Sequence, residues 1–249
     1  MPQSQKLPLS TEMGDKERQL LLAVLGPILW LQAKYVRRVT PCMPEPAGPR
    51  CGTVGQGPLL RLLVAGDSAA AGVGASSQAQ ALCGQLIERL SEHHTVQWCL
   101  LAVNGLDSPG LLKLLEAAPS ARYDVVVLSM GVNDATSLLS PSQWLQWQNR
   151  LADVIESRFK PDLLIHSAVA PMHLFSALPQ PLRWFMGRWA KEMNHRLAHV
   201  LRGQTKRTMH WHPKATARQG LAADGFHPSA FGYSLWAESL SQRILTASA

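Results

Sequence analysis

Cysteine is scarce in this sequence of 249 residues, and its pattern argues against a disulfide-rich fold. The four cysteines, Cys42, Cys51, Cys83 and Cys99, include no CxxC pair and lack the density of a disulfide scaffold. We therefore expect reduced thiols that serve as structural residues.

Signatures of metal, nucleotide and nucleic-acid binding are also missing. The motifs His93-His94 and His210-x-His212 lack the cysteine or acid that would complete a metal site, and Gly72-x-Gly74 lacks the third glycine of a dinucleotide fingerprint. The net charge of +7 is spread out, because residues 1–57 carry seven Lys and Arg against four Asp and Glu, and the remainder carries seventeen against thirteen. Without a basic stripe studded with aromatics, nucleic acid is not an expected partner. We expect no metal and no cofactor.

Long hydrophobic runs are represented by Leu20–Ala33, which contains no charge. This run is shorter than the about 20 residues of a spanning helix, and Pro27 and Gln32 interrupt it. A signal peptide is disfavoured because no small-x-small cleavage site follows. The basic residues just beyond the run favour an interfacial helix that makes peripheral membrane contact through residues 20–38. A helix packed on the protein's own domain fits the pattern equally well.

A linker separates this run from the rest of the chain. The segment Pro41–Pro58 contains five prolines and four glycines, which predicts an extended connection. We therefore divide the chain into an N-terminal apolar and basic extension, residues 1–57, and one domain, residues 58–249. The positive flank would keep that domain in the cytoplasm if the helix spanned a membrane, so we expect a cytoplasmic, membrane-associated protein.

From Leu59 onward, apolar runs typical of buried parallel strands alternate with helical periodicity. The predicted strands are Leu59–Ala65, Val96–Val103, Asp124–Met130, Asp162–Ala170 and Arg207–His212. The predicted helices are Gln78–Ser91, Ser108–Ala117, Pro141–Arg158, Leu182–Arg202 and a last helix from about Ser229. This alternation predicts an α/β fold, a three-layer α/β/α sandwich around a five-stranded parallel sheet of flavodoxin-like type. Functional residues should collect at the carboxyl ends of its strands.

Four short motifs lie at these strand ends or just before the last helix. They are Gly66-Asp67-Ser68, Val103-Asn104-Gly105, Met130-Gly131-Val132-Asn133-Asp134 and Asp224-Gly225-Phe226-His227-Pro228. Each alone fits an ordinary turn or helix cap. Together, and in this order, they resemble the four blocks of the SGNH hydrolases, also called the GDSL esterase/lipase family. The resemblance covers Leu59–Ala249 and is closest to the bacterial single-domain esterases.

The resemblance implies a site for acyl transfer. Ser68 would be the nucleophile, His227 the general base, and Asp224 the carboxylate that orients the imidazole. The backbone N–H groups of Ser68 and Gly105 and the side-chain amide of Asn133 would form the oxyanion hole. Asp67, directly before Ser68, and Asp134, directly after Asn133, are expected to hold the loops by local hydrogen bonds.

The segment after the fourth predicted strand carries Met and aromatic residues outside any clean period. Met172, Phe175, Leu178 and Trp184 are our candidates for the lining of an acyl pocket near Ser68. The alternative is a packed loop with no role in substrate binding.

These residues predict a serine hydrolase that cleaves carboxylic esters, of small molecules or of lipids, through an acyl-enzyme intermediate. A lysophospholipase or acyl thioesterase would use the same residues, and the apolar, basic N-terminus favours action at a membrane surface. Carbohydrate O-deacetylation lacks the support of a carbohydrate-binding module. The alternative outside enzymes is a catalytically silent, membrane-attached binding scaffold, which would not require all five site residues.

Overall fold

The computed structural model describes residues 15–213 and 220–248, so the first fourteen residues of the predicted extension lie outside the described part. The strands are β1 (Cys51–Val54), β2 (Leu59–Gly66), β3 (Thr95–Ala102), β4 (Val125–Ser129), β5 (Leu163–Ser167) and β6 (Arg207–His210). The α-helices are α1 (Asp15–Val39), α2 (Ser68–Ala71), α3 (Leu82–Ser91), α4 (Ser108–Ala117), α5 (Val132–Thr136), α6 (Pro141–Phe159), α7 (Leu182–Val200) and α8 (Ala230–Ser248). Two 3₁₀ turns span Gln78–Gln80 and Met172–Leu174.

The described strands form one sheet in the order β1-β3-β2-β4-β5-β6. The pairs from β3 through β6 are all parallel, and β1 joins the edge antiparallel to β3. Without β1, the order is the flavodoxin-like arrangement, in which β3 is added on one side of β2 and the later strands are added on the other. The predicted α/β fold and its five parallel strands are confirmed. Because Gly66 pairs with both Ala102 and Ser129, three strands end at the same level.

Apolar side chains on the two faces of the sheet form two separate cores. One face packs against α3 and α8, through residues such as Leu86 and Leu240. The other face packs against α4 and α6, through residues such as Leu111 and Ile155. A third cluster joins α7, the segment after β5 and the inner side of α1. The layers therefore have the predicted α/β/α order, with α1 packed outside them on α7.

Strand β1 lies inside the segment that the sequence predicted as an extended linker. Its four residues, CGTV, are exposed throughout and show no alternation of burial, so the usual strand pattern is absent. The remaining part of that segment, Pro41–Arg50, has no regular secondary structure. The division of the chain at residues 57 and 58 stays a prediction.

The antiparallel register of β1 places Cys51 directly opposite Cys99, and the two form a disulfide. The prediction of reduced thiols is therefore wrong for this pair. The disulfide depends on the register of β1, a strand that the sequence did not predict. The spacing of the cysteines along the sequence does not indicate that register. Cys42, which is exposed, and Cys83, which is buried, are free thiols.

Helix α1 is longer than the apolar run that suggested it. It has 25 residues and continues through Pro27. Among the described residues there is one helix that is long and apolar enough, by length and composition, to cross a membrane, and it spans Lys16–Val39. One of its faces packs on the domain, where Leu29 and Val36 are buried.

Candidate active site

Ser68 lies where β2 meets α2. A Cβ atom on Gly66 would lie 2.1 Å from the carbonyl oxygen of Ser129, so the close approach of β2 to β4 requires glycine here. The side chain of Asp67 accepts a hydrogen bond from the N–H of Ala69 at 3.1 Å and caps α2. Ser68 is the first residue of that helix, where backbone N–H groups have no partner within the helix. The backbone N–H of Ser68 is therefore one of the unpaired groups at the start of the helix that can stabilise a negative charge.

His227 connects Ser68 to Asp224. The His227 Nε2 atom is 3.0 Å from the Ser68 Oγ atom, and the Nδ1 atom is 2.6 Å from an Asp224 carboxylate oxygen. The other Asp224 oxygen accepts the backbone N–H groups of Phe226 and His227 at 2.9 and 3.0 Å. The structure thus brings together the three predicted triad residues, with the Asp224 side chain fully buried.

The carboxylate of Asp224 determines which imidazole nitrogen carries the proton. Burial raises the pKa of the Asp224 carboxyl, but hydrogen bonds from the His227 ring and from the backbone N–H groups outweigh it, so the pKa lies below its ordinary value. An ionised carboxylate can only accept, so Nδ1 of a neutral His227 carries the hydrogen. The lone pair of Nε2 then faces the Ser68 hydroxyl, which is the arrangement that a general base requires.

The predicted oxyanion residues follow the two neighbouring strands. Gly105 lies beyond β3, is exposed, and has a φ of +81°, a conformation that favours glycine. Asn133 lies in α5, beyond β4, and its Nδ2 atom donates to the carbonyl oxygen of Leu106 at 2.8 Å. One amide hydrogen of Asn133 thus binds the Gly105 loop, and an amide group has a second hydrogen to offer.

Two buried acids lie below these loops, as predicted for structural residues. Asp134 accepts the backbone N–H of Ser108 at 3.0 Å and its hydroxyl at 2.8 Å, which holds the start of α4. Burial raises the pKa of Asp134. Burial also raises the pKa of Asp67 to about 7; the nearby Asp134 adds to the effect, while the N–H of Ala69 opposes it. The expectation that both acids hold loops by hydrogen bonds is confirmed.

A cavity of about 80 Å³ opens beside Ser68 and His227. Its wall is mostly apolar and comes from the ends of β4 and β5, the turn after β5, the His227 loop and α8. Apolar residues that line it include Val169, Leu174, Phe175, Leu221, Phe226 and Trp236. The volume is well below the roughly 300 Å³ at which pockets for drug-sized ligands begin.

The four candidates for the acyl pocket lie in different places. Phe175 lines the cavity, and its ring contacts Phe226 at 4.7 Å between centroids. Met172 and Leu178 are buried in the apolar cluster with α7. Trp184 is 40% exposed on α7, where Arg188 lies over its ring. For Met172 and Leu178 the structure therefore favours the packed-loop alternative.

The sequence analysis missed several residues of the cavity wall. Phe226 lies inside the motif that contains Asp224 and His227, so its position next to the candidate base could have indicated it. Trp236 comes from α8, and no sequence pattern indicates which side of that helix meets the site. Within residues 15–213 and 220–248, no group of three or more His, Cys, Asp or Glu side chains could hold a metal ion.

Several solved structures share this fold. A member of the lipolytic protein G-D-S-L family from Veillonella parvula DSM 2008 is similar with a TM-score of 0.60 and 14% identity, over 75% of this chain and 98% of that one. The lipase/acylhydrolase from Enterococcus faecalis is similar with a TM-score of 0.54 and 17% identity, over 74% of this chain and 95% of that one. A carbohydrate esterase family 2 enzyme from Corynascus thermopiles (Myceliophthora fergusii) is similar with a TM-score of 0.56 and 13% identity, over 81% of this chain and 68% of that one.

Sequence comparison identifies the family directly. No curated protein matches the chain significantly. The profile of the GDSL-like Lipase/Acylhydrolase family, however, matches residues 64–235, which span the end of β2, the predicted oxyanion residues and the triad. That range is more than two thirds of the chain, and the resemblance seen in the four motifs is confirmed. The chain belongs to the GDSL-like lipase/acylhydrolase family.

Proposed function

We propose that this protein hydrolyses carboxylic esters through an acyl-enzyme formed on Ser68. The observation that carries the proposal is the continuous set of hydrogen bonds from Ser68 Oγ through His227 to Asp224, at 3.0 and 2.6 Å. A serine that only capped a helix would not need an imidazole nitrogen within reach of its hydroxyl. The silent binding scaffold is disfavoured for the same reason.

The proposed reaction has two halves. Ser68 Oγ attacks the carbonyl carbon while His227 Nε2 takes the hydroxyl proton, and the developing oxyanion is met by the N–H groups of Ser68 and Gly105 and by the Asn133 amide. The C–O bond to the alcohol breaks, and His227 returns the proton to the leaving oxygen. His227 then takes a proton from water, the resulting hydroxide attacks the acyl carbonyl carbon, and the bond to Ser68 Oγ breaks. His227 returns the proton to that oxygen, which releases the carboxylic acid and restores the free serine.

The cavity supports a short acyl group as the preferred substrate. Its small volume and apolar wall suit a few carbon atoms beside the nucleophile. A lysophospholipase or acyl thioesterase remains a second candidate because α1 exposes an apolar face, which would favour substrates at a membrane. These two candidates differ in the acyl length that they predict.

Hydrolysis of p-nitrophenyl esters from acetate to palmitate, with the wild type and Ser68→Ala, tests the proposal. We expect highest kcat/KM for short chains and a loss of at least about 10⁴-fold in the variant, with unchanged far-UV circular dichroism. A maximum at long chains would favour the lipid-directed candidate. A folded wild type without activity across the series would contradict the proposal and favour the scaffold.

A further inference from the structure

Helix α1 has two separate apolar faces, and one of them packs on the domain. Leu29 and Val36 on this inner face are buried in the cluster with α7. The side chain of Gln32 donates to the carbonyl oxygen of Gln180 at 2.6 Å and accepts the N–H of Leu182 at 3.0 Å. An ion pair between Glu17 and Arg188, 2.8 Å apart, adds a contact near the start of the helix. The inner face therefore accounts for only half of the helix's apolar side chains.

The other half lies on the outside. Six large apolar or aromatic side chains repeat every three or four residues and are each at least 45% exposed: Leu20, Val24, Ile28, Leu31, Tyr35 and Val39. At about 100° per residue they fall within a sector of about 100°, whose centre lies roughly 120° around the helix from Leu29 and Val36. We call this set the outer stripe. A contiguous exposed apolar surface of this kind marks an interaction site.

Between Leu20 and Val39, the span of the outer stripe, the charges have one sign. From Arg18 to Pro44 the sequence contains no acidic residue. Lys34, Arg37 and Arg38 are exposed at the C-terminal end of α1, and Lys34 lies 3.9 Å from the centre of the Trp30 ring. Trp30, itself exposed, and Tyr35 are residue types that prefer the boundary between hydrocarbon and water. The surface is thus apolar along its length and basic at one end.

We propose that the outer stripe docks on an anionic lipid surface, with α1 lying in the plane of the membrane and still packed on α7. Apolar side chains would enter the boundary between head groups and acyl chains while the basic residues meet anionic head groups. A second copy of the chain fits less well, because the stripe offers no acidic group to pair with the other copy's cations. A spanning orientation would remove α1 from α7 and expose Leu29, Val36 and the apolar cluster behind them.

Docking in this orientation would place α1 between the lipid and the segment that leads to the cavity. The segment that follows β5 lines the cavity with Phe175 and contacts α1 with Gln180, five residues later. Five residues reach at most about 18 Å, so the two points are close together. The docking itself does not depend on the proposed chemistry, and a catalytically inactive Ser68→Ala variant should dock as the wild type does.

Co-sedimentation of the full chain with vesicles tests this proposal. The two vesicle types are pure phosphatidylcholine and a mixture of phosphatidylcholine with phosphatidylglycerol. The variants are Val24→Glu/Leu31→Glu on the outer stripe, Arg37→Gln/Arg38→Gln beside it, and the matched control Val200→Glu, an exposed valine at the far end of α7. Hydrolysis of p-nitrophenyl acetate and circular dichroism verify that each variant is folded.

We expect binding to the anionic vesicles that falls with added salt. The stripe variant should bind roughly 100-fold more weakly, the arginine variant about 30-fold more weakly, and Val200→Glu as the wild type does. The proposal is overturned if the stripe variant keeps its binding, or if the wild type ignores anionic vesicles and instead forms a dimer that the stripe variant dissociates. Retention of the wild type in the vesicles after alkaline carbonate treatment would overturn the in-plane orientation in favour of a spanning helix.

Discussion

The two sides of the candidate site are held in different ways. On the triad side, Ser68 and Asp224 are buried, and the imidazole of His227 forms a hydrogen bond with each of them. On the oxyanion side, Gly105 is exposed and Asn133 is partly exposed. The triad side comes from two compact motifs, whereas the oxyanion side depends on contacts from several segments.

One of those segments is the irregular stretch before β1. A carboxylate oxygen of Glu45 accepts the backbone N–H of Asn104, next to Gly105, at 2.6 Å, and the Asn104 side chain donates to the carbonyl oxygen of Met43. Arg50 bonds both to Glu45, at 2.8 Å, and to the carbonyl oxygen of Ala102 at the end of β3. The difference teaches that the candidate triad is held by contacts within and between two short motifs, whereas the candidate oxyanion donors depend on contacts with distant parts of the chain. Four substitutions probe this difference, from the strongest expected effect to the weakest.

Asp224→Asn tests the triad side. The asparagine keeps the size of the side chain but can present an N–H to His227 Nδ1, which favours the wrong tautomer. We expect kcat to fall about 10⁴-fold while KM changes little. Steady-state kinetics on a short p-nitrophenyl ester measure this, and a fall of less than tenfold would contradict the role proposed for Asp224.

Asn133→Ala tests the oxyanion side. Loss of the amide removes one donor to the oxyanion and the bond to the Leu106 carbonyl, and we expect kcat to fall about 100- to 1,000-fold. Thr136→Ala in the same short helix is the matched control, and it should stay within about threefold of the wild type. Equal losses in both variants would mean that α5 acts through its fold alone.

Asp67 lies between the two sides, and its effect should appear in stability. Burial raises its pKa to about 7, so between about pH 4 and pH 7 the folded chain binds a proton that the unfolded chain has released. Stability should therefore fall as the pH rises through this window, by roughly 3 kcal/mol from this residue. Asp67→Asn keeps the helix cap and removes the titration, so it should flatten this part of the pH profile.

Urea denaturation at several pH values measures that profile. Asp162→Asn, at an exposed carboxylate beside Arg122, is the control and should keep the slope of the wild type. An unchanged slope in Asp67→Asn would show that this carboxyl titrates normally in the folded protein.

Glu45→Gln tests the contact between the N-terminal segment and the Gly105 loop. The amide can still accept from the N–H of Asn104, but the bond loses its charge and the ion pair with Arg50 is lost. Because both partners of that pair are partly exposed, we expect kcat to fall by less than about tenfold with little change in KM. Glu88→Gln, on α3, is the control. A loss as large as that of Asn133→Ala would mean that the contact controls the whole oxyanion side.

The sequence predicted most of what depends on local pattern. Four of the five parallel strands have apolar runs, and β6, with the sequence RTMH, has a weaker pattern. The candidate triad residues lie in two motifs of three and five residues, so these too could be found without the structure. β1 has four exposed residues, and one of them is a glycine, so no burial pattern marks it. Its pairing with β3, and with it the disulfide, follows from tertiary register alone.

The cavity wall was harder to predict for a related reason. Met172 and Phe175 lie one 3₁₀ turn apart, yet one packs against α7 and the other faces the cavity. The direction of each of these side chains depends on how the turn after β5 packs against the neighbouring elements. The same holds for Glu45, whose contact with Asn104 joins residues 59 positions apart.

The hydrogen bond between Ser68 and His227 joins residues 159 positions apart. At a synthesis rate of about 5–20 residues per second, roughly 8–32 s pass between the addition of the serine and of the histidine to the growing chain. During that interval the nascent domain holds a serine without the base that our mechanism assigns to it. Under that mechanism, ester cleavage begins only when His227 has been translated and has folded against Ser68, so a product terminated between the two residues would hold the nucleophile without its base.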